Sequence, residues 1–190
     1  MNILIIHEID WINKVVYEPH HLAELFSIKG HNVFVIDCRE PKTKHLIDGF
    51  HTSIISNFNR VYKNASITLI RPPSLLIKGL NRATYFLTCH RIIKKTIQKN
   101  NIDIIWLYGL ASNGIQTVKI AKEFNLPIIQ RQLDVAYELV KIPFLKQLTK
   151  KYEKFVTSNV SQVLCSTPKL INYAVEMGAK EANVEYFPLG

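Results

Sequence analysis

The clearest indication of the fold comes from residues 20–37, which read HHLAELFSIKGHNVFVID. Apolar residues recur with a helical period in the first half of this passage, at Leu22, Leu25, Phe26 and Ile28. Gly30 is a residue type that commonly follows the end of a helix. Residues 32–37 form a short apolar run with β-branched side chains, which predicts a buried strand. The passage therefore predicts a helix that leads directly into a strand of a sheet.

The same alternation extends over the rest of the chain. Strands are predicted over residues 2–6, 67–71, 103–108, 127–131, 162–165 and 185–187. Helices are predicted over residues 78–98, 112–124, 143–158 and 168–177. Residues 39–63 are less regular, and we expect a loop with one short helix there. Alternating strands and helices predict a doubly wound, Rossmann-like α/β fold, with a parallel sheet and helices on both faces.

The charge of the chain favours anionic partners. Its 190 residues are a typical length for one domain. They include 24 Lys and Arg against 15 Asp and Glu, which gives a net charge of +9. An excess of this size attracts nucleic acid, an anionic membrane surface or a phosphate-bearing substrate. Composition alone leaves these three classes of partner open.

The cysteines and the apolar segments indicate a cytoplasmic protein. Cys38, Cys89 and Cys165 are far apart and form no CxxC pair, so we expect neither a disulfide framework nor a zinc site. The opening residues lack the pattern of a secretory signal peptide. No apolar run approaches the roughly 20 residues that cross a bilayer.

The motifs of several enzyme classes are missing. The predicted first strand is followed by His7-Glu8-Ile9-Asp10 instead of GxGxxG, and acids at this point would repel a pyrophosphate. The sequence also contains no Walker A motif, no GxSxG elbow and no HExxH motif. We therefore expect no NAD or FAD site, no P-loop, no metal and no cofactor.

Candidate ligand-binding residues follow from the predicted sheet, because ligands of parallel sheets bind beyond the carboxyl ends of the strands. The positions to examine at these ends are 7–10, 37, 71, 108–113, 131–134 and 166–167. Among them we select as site residues His7, Glu8, Asp10, Tyr108, Asn113, Arg131, Asp134 and Ser166. Glu8 and Asp10 are either solvated loop acids or acceptors for the hydroxyls of a polyhydroxylated ligand. His7 either contacts a substrate hydroxyl or bonds to the backbone. Arg131 either grips a phosphate or carboxylate or pairs with a nearby acid.

Two predicted helices carry much of the positive charge. Their basic residues that we assign to a membrane-facing surface are Arg82, Arg91, Lys94, Lys95, Lys146, Lys150 and Lys151. Apolar residues are interleaved with them, and basic amphipathic helices can lie on an anionic membrane. The alternative is that the apolar faces pack on the sheet and the basic residues are solvated.

Taken in order, four passages resemble the N-terminal domain of GT-B glycosyltransferases, in particular glycosyltransferase family 4. MNILII (residues 1–6) and PHHLAELFSIKGHNV (19–33) resemble the opening strand and the family's LAxxLxxxGHxV passage. DIIWLY (103–108) resembles its DIIxxH strand, and residues 152–166 resemble its ADxVIxxS passage. Residues 178–190 are similar to the stretch that closes the family's first domain. The resemblance covers essentially the whole chain.

The resemblance implies a retaining, metal-independent transfer of a sugar from a nucleotide sugar. This chain would be a single acceptor-side domain over residues 1–190, and the donor would be held mainly by a second domain, which we expect to be absent after Gly190. The fragment alone would then be inactive. His7-Glu8-Ile9-Asp10 stands where the family has a glycine-rich loop, and Tyr108 and Arg131-Gln132 replace His-containing positions. The resemblance therefore assigns no catalytic residue here.

We expect a glycosyltransferase domain whose acceptor is a lipid-linked or cell-envelope glycan. His7, Glu8 and Asp10 would contact acceptor hydroxyls, and the other strand-end residues would line the cleft. The protein would be cytoplasmic and peripheral on the inner face of the cell membrane. The alternatives are a non-catalytic subunit that recruits a separate catalytic half to the membrane and, with less support, a basic α/β module that binds nucleic acid.

Overall fold

The structure is a computed structural model that describes residues 1–41, 49–77, 80–109 and 113–189. Its strands are β1 (Asn2–Ile6), β2 (Asn32–Ile36), β3 (Ser53–Phe58), β4 (Ile67–Arg71), β5 (Ile104–Tyr108), β6 (Ile128–Gln132), β7 (Gln162–Cys165) and β8 (Val184–Tyr186). Its α-helices are α1 (Glu18–Ile28), α2 (Asn81–Asn100), α3 (Gly114–Glu123), α4 (Pro143–Thr157) and α5 (Pro168–Glu176). These elements confirm the predicted Rossmann-like α/β fold.

The chain divides into two compact units, Met1–Ile104 and Ile105–Gly190. In the first unit the strand order is β3-β4-β2-β1. Strand β2 pairs in parallel with β1 and with β4, and Ile36 lies opposite both Ile6 and Ile70. All three of these side chains are buried. The carboxyl ends of β1, β2 and β4 therefore meet at one edge of the sheet.

The prediction for residues 39–63 was wrong in one respect, because this segment contains strand β3. It pairs antiparallel with β4, from Ser53 opposite Arg71 to Phe58 opposite Ile67, with a register shift between Ile55 and Phe58. The sequence of β3 is SIISNF, which is not a continuous apolar run. A strand at the edge of a sheet with an exposed face can contain polar residues, so the apolar pattern of a buried strand is missing here. Residues 42–48 lie outside the described residues.

The second unit has the strand order β5-β6-β7-β8, and each of these pairs is parallel. Strand β7 and helix α5 share a small apolar core, formed by Val163, Cys165, Leu170 and Ala174. The predicted strands and helices here agree with the structure to within one or two residues at their ends. Residue 112, with which the third predicted helix begins, lies outside the described residues, as do residues 78 and 79 in the helix before it.

Two glycines end helices where the sequence predicts it. Gly30 follows α1 with φ +85, and Gly178 follows α5 with φ +95, a backbone conformation that side chains with a Cβ disfavour. The next residues close the helix ends, because the His31 amide donates to the Phe26 carbonyl at 3.1 Å and the Ala179 amide to Ala174 at 3.0 Å. Both ends have the hydrogen-bond pattern of a Schellman motif.

None of the helices in the described part of the chain has the length and apolar character needed to cross a bilayer. Within the same residues, no group of His, Cys, Asp and Glu side chains is arranged to hold a metal ion. The three cysteines are free thiols, and all are buried.

Candidate functional site

The carboxyl ends of the parallel strands in the first unit are linked by Arg71, the last residue of β4. Its Nη2 lies 2.7 Å from Oδ1 of Asp10, in the loop after β1. Its Nε lies 3.0 Å from Oδ2 of Asp37, directly after β2. Both carboxylates are buried, and the guanidinium is nearly so. One guanidinium group therefore forms ion pairs with two buried carboxylates that belong to two different loops.

Asp10 also fixes the shape of its own loop. Its Oδ1 accepts from the backbone amides of Ile12 and Asn13, at 3.2 and 3.1 Å. Its Oδ2 accepts from the side chain of Asn13 at 2.9 Å and from the amide of Glu40 at 3.1 Å. Both oxygens are thus engaged within the unit. The predicted role of Asp10 as a contact for acceptor hydroxyls stays a prediction.

The two acids differ in pKa. Burial raises the pKa of Asp37 to about 6, and the charge and hydrogen bond of Arg71 offset only part of this effect. Burial also acts to raise the pKa of Asp10, but hydrogen bonds from Asn13, the charge of Arg71 and two backbone donors outweigh it. The pKa of Asp10 therefore lies below its ordinary value. Asp10 keeps its charge to lower pH than Asp37 does.

His7 and Glu8, the other two predicted acceptor contacts, are partly buried at the start of the same loop. The Nε2 of His7 lies 2.6 Å from the hydroxyl of Tyr17. Burial, with a smaller contribution from the charge of His20, lowers the pKa of His7 to about 3. The imidazole is therefore neutral near pH 7. A neutral imidazole can donate a hydrogen bond to a hydroxyl or accept one from it, but it provides no positive charge to bind a phosphate.

A second buried acid joins helix α1 to the segment between β3 and β4. The carboxylate of Glu24 accepts from three successive backbone amides, those of Arg60, Val61 and Tyr62, at 2.6, 3.0 and 2.7 Å. The guanidinium of Arg60 in turn donates to the carbonyls of Trp11 and Lys14, at 2.6 and 2.8 Å. Two arginines therefore hold the loop after β1: Arg60 through hydrogen bonds to its backbone carbonyls and Arg71 through the side chain of Asp10.

In the second unit, three predicted residues at the ends of β5 and β6 are buried, namely Tyr108, Asn113 and Arg131. The Nη1 of Arg131 donates to the carbonyl of Leu164 at 3.2 Å, and its guanidinium lies over the ring of Phe187, 4.9 Å from the centroid. These contacts attach β6 to β7 and to the residue after β8. Whether Arg131 also contacts a ligand stays a prediction.

A polar network follows along β6 within this unit. Gln130 donates to Gln132 at 3.0 Å, and Gln132 donates to Oε1 of Glu153 at 2.9 Å and to the backbone carbonyl of Asp134 at 2.6 Å. Glu153, on α4, also accepts from the amides of Ala136 and Tyr137 at 3.4 and 3.3 Å. Its carboxylate thereby holds the segment after β6 against α4. Buried glutamine side chains in a strand are unusual, because they need hydrogen-bond partners and an apolar side chain at the same position does not.

The two remaining strand-end predictions lie in different environments. The side chain of Asp134 is exposed. Ser166, after β7, is buried, and its hydroxyl donates to the carbonyl of Leu133 at 3.3 Å. The structure thus places both next to the end of β6, with only Asp134 open to solvent.

The basic residues of α2 and α4 mostly point to solvent. Arg82, Arg91, Lys95, Lys150 and Lys151 are exposed, whereas Lys94 and Lys146 are partly buried. On α4, the Nζ atoms of Lys146 and Lys150 lie 5.5 and 4.9 Å from the ring centroid of Tyr137.

The first unit also contains a cavity of about 480 Å³ between α2 and strands β2, β3 and β4. Its lining includes Phe34, Ile54, Thr68, Ile70, Lys95 and Lys99. A neighbouring hollow is lined by Arg91 and Lys95. None of the predicted acceptor residues is among the described residues that line either one.

Asp37, Arg71 and Gln132 belong to the strand-end positions selected from the sequence, whereas Glu24, Arg60 and Glu153 were not singled out. Asp37 and Arg71 end predicted strands, and this position was the available signal. Glu24 and Glu153 lie within helices and look like solvent-facing acids in the sequence. Only the tertiary structure shows that they are buried.

Comparison with known proteins shows a likeness in structure only. No protein-family model matches the sequence, and no curated protein matches it. Sucrose-phosphate synthase from Thermosynechococcus elongatus matches with a TM-score of 0.64 at 15% identity, over 100% of this chain and 90% of that chain.

Two larger enzymes match over part of their length. UDP-N-acetylglucosamine 2-epimerase from Rickettsia bellii has a TM-score of 0.58 and 11% identity, over 100% of this chain and 45% of that chain. HepE from Anabaena, in complex with UDP and glucose, has a TM-score of 0.59 and 10% identity, over 100% and 44%. The chain thus spans less than half of these two enzymes. The likenesses support a GT-B fold, and at these identities they show the fold alone.

Proposed function

We propose that the chain is the N-terminal, acceptor-side domain of a glycosyltransferase that moves a sugar from a nucleotide sugar to a lipid-linked or cell-envelope glycan. The observation that carries the proposal is the match of the whole chain to less than half of HepE, whose complex holds UDP and glucose. A further structure of HepE contains UDP-glucose. A domain that covers one half of such a fold is expected to supply one side of the substrate site.

The chemistry proposed for this domain is binding and orientation of the acceptor. His7, Glu8 and Asp10 are the acceptor contacts that we propose in the first unit, because all three lie in the loop after β1, beyond the carboxyl end of that strand. A neutral imidazole and a carboxylate suit sugar hydroxyls, which donate and accept hydrogen bonds. In the second unit, the exposed carboxylate of Asp134 has the same capacity.

The finer parts of the proposal are a retaining mechanism of the family 4 type, donor binding mainly by a second domain, and a peripheral position on the inner face of the cell membrane. They are supported by the sequence passages that resemble that family and by the basic helices. In such an enzyme, groups already in place would stabilise the departing diphosphate.

An assay of acceptor-dependent release of nucleoside diphosphate tests the proposal. The complete protein is incubated with a panel of UDP-sugars, with and without a glycolipid extract from its own cells, and the UDP released is measured. We expect release that requires both a donor and the extract, together with a labelled sugar on the extracted glycan. Glu8→Gln should raise the KM for the acceptor and leave that for the donor unchanged. A protein that neither releases UDP nor binds any nucleotide sugar would contradict the proposal.

A further inference from the structure

Helix α4 carries a row of exposed apolar side chains, which we call the α4 stripe: Phe144, Leu148, Tyr152 and Phe155. Successive residues of a helix are rotated by about 100°, so these four positions fall within about 80° of one another. Phe144 is 76% exposed, although aromatic side chains of this size normally lose most of their surface to packing. The α4 stripe is therefore one continuous apolar face on the surface of the second unit.

The α4 stripe is not the side by which the helix attaches to its own unit. The buried residues of α4 are Glu153, Val156 and Thr157, which lie on a different side of the helix. Glu153 there accepts hydrogen bonds from Gln132 and from the segment after β6. Packing within the unit thus buries one face of α4, and it leaves Phe144 76% exposed and the other three residues of the stripe 36–40% exposed.

A row of lysines lies beside the α4 stripe. Lys150, Lys151 and Lys154 are exposed on the third side of the helix. The acid within α4 is Glu153, which is buried and bonded, and Lys146 pairs with Glu138 of the preceding segment at 3.7 Å. Lys150, Lys151 and Lys154 therefore supply the positive charge beside the stripe. The preceding segment adds Lys141 and the exposed side chains of Leu139 and Ile142. An apolar face bordered by lysines is complementary to a lipid surface, which offers hydrocarbon below anionic headgroups.

We propose that α4 is a membrane-docking helix, which inserts the α4 stripe among the lipids of an anionic bilayer while its lysines contact the headgroups. Long lysine side chains can lay their stems along the apolar face and keep the charge at the headgroup level. Tyr152 has the amphipathic ring that suits this interface. The inference deepens the peripheral position proposed above and does not depend on sugar transfer, so the two proposals can fail separately.

Helix α2 is the natural comparison, because it is also basic. Its exposed large apolar side chains are Phe86 and Leu87, which are adjacent in sequence and lie about 100° apart on the helix. They form no stripe. Charge without an apolar face gives weaker and more salt-sensitive binding, since stable anchoring takes two contributions.

Sedimentation with vesicles tests the proposal. The complete protein is mixed with vesicles of phosphatidylcholine, with or without phosphatidylglycerol, at low and high salt. We expect binding that requires phosphatidylglycerol and weakens with salt. Phe144→Ser with Leu148→Ser should weaken it at least about tenfold, because two apolar side chains no longer enter the hydrocarbon. Lys150→Ser with Lys154→Ser should weaken it about fivefold per lysine at low salt.

Matched variants outside α4 control for general effects of charge and hydrophobicity. Leu87 is 75% exposed, so Leu87→Ser removes a side chain as exposed as Phe144. Lys63→Ser with Lys99→Ser, at exposed positions that are not assigned to the membrane-facing surface, removes the same charge as the α4 pair. Both controls should retain vesicle binding, and circular dichroism should show all variants folded. Equal losses in the control and α4 variants, no binding by the wild type, or an α4 stripe that is covered by a second copy at working concentration would overturn the proposal.

Discussion

Arg71 and Asp10 are 61 positions apart in the sequence, and Nη2 of Arg71 lies 2.7 Å from Oδ1 of Asp10. The same guanidinium also donates to Asp37 at 3.0 Å. Three loops that follow three parallel strands thus depend on one side chain. The loop that carries the proposed acceptor contacts His7, Glu8 and Asp10 is held in place by this arrangement.

Replacing Arg71 should be strongly destabilising. Arg71→Met leaves the buried carboxylates of Asp10 and Asp37 without their cation, and loss of one partner from a buried pair costs about 3–5 kcal/mol. Urea unfolding near pH 7 measures the change. Arg82→Met, at an exposed position on α2, is the control and should change the free energy of unfolding by less than about 0.5 kcal/mol. Equal stability of the two variants would contradict the buried network.

The raised pKa of Asp37 should make stability fall as the pH rises from about 4 to about 6. The unfolded carboxyl titrates near 3.8 and the folded one near 6, so the folded state binds more protons within this window. The shift corresponds to about 3 kcal/mol, which is present below pH 3.8 and lost as the pH rises through 6. Asp10, with its lowered pKa, acts in the opposite direction and at lower pH.

Asp37→Asn isolates this contribution, because the amide keeps the shape of the side chain and does not titrate. We expect the free energy of unfolding of the wild type, minus that of the variant, to decrease between pH 4 and pH 6 and to level off above. Urea unfolding of both proteins at several pH values measures it. Parallel pH profiles would show that Asp37 titrates normally in the folded protein.

Glu24 should contribute more to the stability of the fold than an acidic residue on the solvent-facing side of a helix. Glu24→Ala leaves the amides of Arg60, Val61 and Tyr62 without their acceptor, which should cost about 3 kcal/mol. Glu24→Gln keeps one acceptor oxygen and should cost less. Thermal unfolding measures both. Glu176→Ala, at an exposed position on α5, should leave the midpoint nearly unchanged, and a comparable loss there would refute the special role of Glu24.

The sequence predicts the parallel part of the fold well because buried strands and amphipathic helices have local signatures. The run NILII of β1 and the stop at Gly30 are recognisable without any partner. Strand β3 was missed because it pairs with only one neighbouring strand, β4, and because its apolar residue Ile54 is exposed to solvent. An edge strand depends on its neighbour, and that neighbour is invisible in a local pattern.

The site was predicted less completely for the same reason. The positions of Asp10, Tyr108 and Arg131 at strand ends follow from the order of elements. Their partners do not, because Arg71 and Leu164 approach them only in the folded chain. Burial of Glu24 and Glu153 within helices also runs against the usual exposure of glutamate. Sequence patterns locate the loops, whereas the pairing of charges requires the tertiary structure.

Arg131 should contribute to stability even if it binds no ligand. Arg131→Ala removes a buried side chain from the carbonyl of Leu164 and the ring of Phe187, and should cost about 2–4 kcal/mol. Arg131→Met keeps most of the apolar stem and should cost less. Kinetics of the folded Met variant in the complete protein then test ligand binding. Unchanged kcat and KM would remove Arg131 from the substrate site.

The two glycines that end α1 and α5 should differ in their tolerance of alanine. Both have positive φ, so each substitution should cost about 1 kcal/mol of backbone strain. At Gly178 an added Cβ would also lie 3.0 Å from Cβ of Ser158, whereas nothing lies within 4 Å of it at Gly30. Thermal unfolding should therefore show the larger loss for Gly178→Ala. The reverse order would contradict this account.

The register shift in β3 bears on how separate molecules of this protein meet. A regular strand at the end of a sheet presents a row of open amides and carbonyls on which a strand of another molecule can build. In β3 the pairing with β4 is interrupted after Ile55, where Asn57 takes a φ of +54 and its side chain accepts from the hydroxyl of Ser66 at 2.9 Å. The interruption twists the strand and shortens its regular part. We therefore expect the irregularity of this edge to disfavour the addition of a strand from another molecule.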